Sequence, residues 1–98
     1  MSAVLLYDQQ FQLNEDEFVE IVIWQLDAPV PGSKHVYKYR MAFMHKDECV
    51  MRMDNERGKG DHLHRGSRQY PYVFKSILDL DTDFWTEVWK WQEKNARS

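Results

Sequence analysis

The stretch "HVYKYRMAFMHKDECVMRMDN", residues 35–55, decides the fold. His35, Tyr37, Tyr39, Met41 and Phe43 hold one set of alternate positions, and Val36, Lys38, Arg40, Ala42 and Met44 hold the other. Alternation with a period of two is the mark of a strand. Past the "HKDE" break, Cys49, Met51 and Met53 alternate with Val50, Arg52 and Asp54, so the two segments form an antiparallel hairpin. Its register follows from parity. A two-residue turn at Lys46-Asp47 would put Met41 opposite Arg52 and mix apolar with charged side chains on one face. An odd loop, Lys46-Asp47-Glu48, sets Met41 beside Met53 and Arg40 beside Asp54. Lys38, Arg40, Arg52 and Asp54 then share one face, the first two at the end away from the turn.

Working outward, "SAVLLYDQQFQL" reads as a first strand and "NEDE" as a turn. "EFVEIVIWQLD" is apolar on both faces, with Phe18, Val22, Trp24 and Leu26 on one and Val19, Ile21 and Ile23 on the other. This pattern predicts a central strand covered on both sides. "APVPGS" is a break. Towards the C-terminus "PYVF" is a short fifth strand or an extended lead-in, and "SILDLDTDFWTEVWKWQEKN" is a helix. Ser76 caps it with Asp79 three residues on, and Ile77, Leu80, Phe84, Val88 and Trp91 form a core-facing stripe that Trp85 and Trp89 widen. The expected fold is α+β: a four- to five-stranded, mainly antiparallel sheet packed against one C-terminal helix. Residues 1–98 form a single domain.

Length and composition agree. The chain has 98 residues, of which 43% are apolar and 14% aromatic, enough for one core and too apolar for disorder. The lone Cys49 permits no internal disulfide, no secretory-signal pattern is visible, and no apolar run reaches membrane-span length. The expected location is the cytoplasm. Charge is segregated: residues 1–33 carry −6, residues 34–75 carry +5 and residues 76–98 carry −2. A basic middle in an acidic chain points to a localised field aimed at an anion.

The basic middle centres on "DNERGKGDHLHRGSR", residues 54–68, which reads as a polar loop. Glycines on either side of Lys59 would let backbone N–H groups turn towards an anion. Arg57, Lys59, Arg65 and Arg68 supply cations. His62 and His64 are the residue type suited to both taking and giving a proton near neutrality, and Asp61 or Glu56 would orient an imidazole. His35 is a candidate third imidazole. This inventory suits metal-free cleavage of RNA, with no cofactor. Its alternatives are a solvated connection, an Asp-His-x-His metal site completed by His35, Asp54 or Glu56, and binding without catalysis.

Taken together, "SKHVYKYR", "DNERGKGDHLH" and "DFWTEVW" resemble the TumE-type toxins of bacterial toxin–antitoxin pairs, and the likeness covers nearly the whole chain. The resemblance implies a toxin held in check by a cognate helix-turn-helix antitoxin. It places His35, Lys38, Arg40, Asp54, Asn55, Arg57, Lys59, Asp61, His62 and His64 on the shared motif. One departure is "RQYPY" at 68–72, where an acidic pair as in "REEPY" is expected.

The resulting expectation is a toxin acting as a metal-independent ribonuclease on RNA. His62, His64, His35 and Asp61 form the catalytic group. Arg57, Lys59, Arg65, Lys38 and Arg40 hold phosphate, and Asp54 positions its neighbours. The alternative is a non-catalytic module that grips nucleic acid or the antitoxin. An exposed Trp85/Trp89 flank would favour a homodimer or an antitoxin-docking surface.

Overall fold

The computed structural model describes residues 2–96. They form β1 (Ala3–Gln12), β2 (Glu17–Leu26), β3 (Tyr37–His45), β4 (Glu48–Glu56), β5 (Gly60–Arg65), β6 (Arg68–Pro71) and α1 (Ile77–Ala96). The strands lie in the order β1-β2-β3-β4-β5-β6, each antiparallel to the next. The architecture is α+β as expected, with six strands in place of four or five.

The extra strand comes from the stretch read as a loop. Asp54–Glu56 complete β4, Gly60–Arg65 form β5 and Arg68 begins β6. Leu63 is the only aliphatic side chain between Asp54 and Arg68, so no apolar alternation announced the strand. Backbone pairing on both sides and the burial of Leu63 opposite Met53 hold it instead. Within "PYVF", Pro71 ends β6 and residues 72–74 are an irregular lead-in to α1.

The β3–β4 hairpin has the far-end register that parity demanded: Met41 pairs with Met53 and Arg40 with Asp54. The odd residue, however, is not in the loop. Lys46 (φ 48°) and Asp47 (φ 66°) make a two-residue turn, with the positive φ values of type I′. Val50 is the extra residue, a bulge between the Met44–Cys49 and Phe43–Met51 pairs.

Helix α1 covers one side of the sheet. Leu80, Phe84 and Val88 pack with Val19, Ile21, Tyr39, Met41, Phe43, Met51, Met53 and Leu63. Burying each such side chain contributes about 1.5–3 kcal/mol. The Ser76 cap forms as expected, its Oγ accepting from the Asp79 N–H at 3.0 Å. Strand β2 departs from expectation: it is next to the edge, and only its Val19, Ile21 and Ile23 side is covered. Trp24, on its other side, is exposed, and so is every residue of β1.

A buried carboxylate fastens the far end of α1. Glu17 accepts hydrogen bonds from Asn14 Nδ2 at 2.9 Å and Gln92 Nε2 at 2.9 Å, and its Oε2 lies 2.8 Å from His45 Nδ1. Burial by itself would raise the Glu17 pKa, but the Gln92, Asn14 and His45 hydrogen bonds together with the His45 charge hold it below the ordinary glutamate value. A carboxyl group depressed in the folded state stabilises above its unfolded pKa, and that stability is lost as pH falls through the folded value. The thermal midpoint is therefore expected to drop on acidification below the ordinary glutamate range, and to drop less in Glu17→Gln. Parallel melting curves of the two proteins between neutral and acidic pH measure this.

Candidate active face of the sheet

Opposed residues on neighbouring strands share a side of the sheet, so the register sorts the candidate residues into two groups. One row runs Val22–Arg40–Asp54–His62, and the adjacent row runs Glu20–Ala42–Arg52–His64. Both lie on the side away from α1. Lys38, opposite Trp24, extends this side by one more alternate position.

Asp54 organises the centre of this open face. It is 7% exposed and takes a 2.9 Å hydrogen bond from Arg52 Nε through Oδ2. Its Oδ1 lies 3.3 Å from His64 Nε2, which is also 3.3 Å from an Arg52 terminal nitrogen. A protonated His64 donates to Asp54 here, and a neutral one can accept from Arg52. The His62 ring centroid lies 6.4 Å from that of His64, and the His62 side chain makes no hydrogen bond among the described residues. Arg40 is exposed, 3.9 Å from Glu20, and Lys59 reaches Glu56 at 3.6 Å. Ligand atoms of Asp54, Glu56 and His64 lie within 4.8 Å of one another, a spacing that could hold a metal ion. The Arg52 guanidinium already bonds Asp54 and sits beside His64 Nε2, so a metal there would have to displace it. The Asp-His-x-His ligand set is not assembled, because Asp61 faces the opposite side from His62 and His64.

The helix side holds His35 and Asp61, and there they pair with each other. His35 Nδ1 accepts from the Tyr37 N–H at 3.2 Å, which leaves Nε2 to donate to Asp61 Oδ2 at 2.8 Å. The Tyr39 hydroxyl donates to the same oxygen at 2.6 Å. Burial first, and then the Asp61 bond, push the Tyr39 pKa far up, so the hydroxyl stays protonated. Phe74 stacks on the imidazole with centroids 3.8 Å apart. Both His35 nitrogens are engaged. The cluster ties the connection before β3 to β5 and to the lead-in of α1.

Arg65 also faces α1. Its guanidinium makes two 2.8 Å bonds to Glu87 and lies 5.0 Å from the Tyr70 ring centroid. Those bonds hold the Glu87 carboxyl below the usual range.

Arg57 and Lys59 occupy the exposed tip of the β4–β5 hairpin. The amides expected to cradle an anion are otherwise used: the Lys59 N–H donates to Glu56 C=O at 3.0 Å, closing the turn, and the Gly58 N–H donates to Pro31 C=O. Here "PVPGS" folds back onto the tip. A Cβ built on Gly32, at φ +92°, would come within 2.9–3.1 Å of Gly58 and Lys59 backbone atoms. Gly32→Ala is therefore expected to cost about 1–3 kcal/mol and to loosen the tip. Urea denaturation reads the loss, and amide exchange at Gly58 reads the loosening.

Two important residues were not among the expected site residues. Arg52 was placed on the right face by parity but given no role. Asn55 had only its motif position to single it out. It is fully buried; its Oδ1 accepts from the Tyr39 N–H at 3.0 Å and its Nδ2 donates to Tyr37 C=O at 2.6 Å. Lys38 Nζ donates to the Asn55 backbone carbonyl. Beyond the last β3–β4 pair, one side-chain amide thus replaces strand pairing.

With this geometry established, comparison with known families decides the relationship: the model described as "Toxin TumE" matches residues 3–92. The chain belongs to the TumE toxin family. Comparison with curated proteins and with solved structures gives no match. The TumE match runs from the first residue of β1 to Gln92 in α1, so it takes in both sides of the sheet. Membership carries the toxin role. No described helix of this TumE chain is long and apolar enough to cross a membrane.

Proposed function

We propose that this TumE toxin is a metal-independent ribonuclease whose active groups lie on the open face of the sheet. The observation carrying the reading is the pair His62 and His64, 6.4 Å apart, with His64 held against Asp54 and His62 unpartnered. Two imidazoles at this separation can flank one phosphate. His62 takes the proton from a ribose 2′-hydroxyl, whose oxygen attacks the adjacent phosphorus. The bond from phosphorus to the 5′-oxygen breaks as protonated His64 gives its proton to that oxygen. The products are a 2′,3′-cyclic phosphate and a 5′-hydroxyl. Arg52 offsets the charge of the pentavalent state, Arg40 and Lys38 hold the adjoining backbone towards β2, and Asp54 keeps His64 oriented. Arg57 and Lys59 are placed to hold flanking phosphates, whereas His35, Asp61 and Arg65 serve the fold. Residues 1–98 act as one domain, and a cognate helix-turn-helix antitoxin silences it in the cytoplasm.

The test is incubation of the purified protein with end-labelled RNA in excess chelator. Cleavage leaving cyclic phosphate ends is expected, and RNA carrying 2′-O-methyl groups should stay whole. Intact RNA over long incubation with folded protein would overturn the catalytic reading. The same cations also support a second reading, a grip on RNA or on the antitoxin without bond breakage. In that case affinity falls steeply with salt and the two imidazoles matter little.

A further inference from the structure

The open face carries a feature that the acid–base groups do not use. Trp24 projects from β2 on the side away from α1, is 37% exposed, and belongs to no part of the helix-packed core. Its cross-strand neighbours are Leu5 on β1 and Lys38 on β3. Arg40 lies one alternate position along β3, and its own row leads through Asp54 to His62. Strands are about 4.8 Å apart and alternate positions about 6.7 Å. Trp24, three strands from β5 and one alternate position along from the His62 row, therefore stands roughly 16 Å from His62 and roughly 20 Å from His64 over the sheet, with Lys38 and Arg40 between. A large aromatic ring partly open to solvent beside cations on the face away from α1 suits a strand of unpaired nucleotides, whose bases can lie on the ring while phosphates meet the cations. A duplex would keep its base faces stacked inside.

We propose that Trp24 is a stacking platform for an unpaired base of single-stranded RNA, in a subsite flanking the phosphate held at His62 and His64, with Lys38 and Arg40 carrying the intervening backbone. The subsite rests on the ribonuclease reading for its position relative to cleavage, but contact between Trp24 and RNA can be measured without cleavage.

The probe is a short fluorescein-labelled single-stranded RNA made uncleavable by 2′-O-methyl groups, titrated into the full-length protein and followed by anisotropy. Trp24→Ala is expected to weaken binding about tenfold, Trp24→Phe to keep most of it, and a blunt-ended RNA duplex of equal charge to show no dependence on Trp24. Quenching of intrinsic fluorescence by the unlabelled oligomer should shrink in Trp24→Phe, a readout that does not depend on the alanine variant folding. With cleavable RNA, Trp24→Ala should raise KM and leave kcat unchanged. Equal affinity and equal quenching in wild type and variants would overturn the subsite, while cleavage by the wild type would leave the ribonuclease reading standing. Trp24-dependent binding without cleavage would do the reverse. Loss of self-association in Trp24→Ala, with RNA affinity unaltered, would reassign the patch to contact between copies and overturn the proposal.

Discussion

Replacing His62 or His64 with alanine is expected to lower RNA cleavage about a hundred- to ten-thousand-fold, the range one positioned proton-transfer group supplies. Growth arrest on expression without the antitoxin should be relieved to match. Neither side chain reaches the core beneath α1, and the His62 imidazole makes no hydrogen bond among the described residues. Its replacement should move the thermal midpoint little. His64 also meets Asp54 and Arg52, so His64→Ala leaves those two to pair with each other through the existing 2.9 Å bond. Two controls sharpen the result. The double variant should fall little below the worse single one, because groups serving one transition state are not additive. His35→Ala should lower stability and, in what remains folded, spare cleavage, because both its nitrogens are engaged by Asp61 and Tyr37 on the other side of the sheet. Full toxicity from a well-expressed His62→Ala/His64→Ala protein would remove the imidazole chemistry altogether.

The largest stability effect is expected at Asn55. Asn55→Ala strips the Tyr39 N–H and the Tyr37 C=O of their partners inside a fully buried site. Each such group costs about 1–3 kcal/mol when left unsatisfied, giving a loss of roughly 2–6 kcal/mol. In a domain of this size each kcal/mol moves the midpoint about 4–8 °C, so the fall should be at least about 8 °C and at the upper end enough to unfold the domain. Asn55→Asp should be nearly as damaging, because it retains an acceptor for Tyr39 but turns an oxygen towards the Tyr37 carbonyl. Chemical denaturation of the three proteins measures both losses. A change within about 1 kcal/mol would mean that water or a shifted strand satisfies the two backbone groups.

How far the sequence could be read depended on whether a segment had parity. Residues 35–44 and 49–54 each alternate, so both the faces and the Met41–Met53 and Arg40–Asp54 pairs were legible. The same logic left open where the extra residue lay, since one residue in the loop and one in a bulge give the same far-end register. Only the backbone conformations of Lys46 and Asp47 separate them. β5 was invisible because it has a single aliphatic side chain, and a loop has no faces. With no faces, His35, Asp61, His62 and His64 looked like one cluster. Once the strand is recognised, Asp61 and Leu63 fall on one side and His62 and His64 on the other. The glycines around Lys59 were read for anion binding. Their positive φ values, 78° at Gly58 and 75° at Gly60, serve a turn packed against Pro31 and Gly32. β2 looked doubly covered because its outer residues are apolar, and no local pattern says what they face.

Strand β5 is six letters, "GDHLHR", in which neighbours have unlike employers. Asp61, Leu63 and Arg65 answer to the core and α1, whereas His62 and His64 answer to the open face. A saturation scan of this word should therefore read out as a comb. Gly60, held at φ 75° in the turn, and the odd positions would register in melting temperature and expression level, His62 and His64 in killing, and the two records would scarcely overlap.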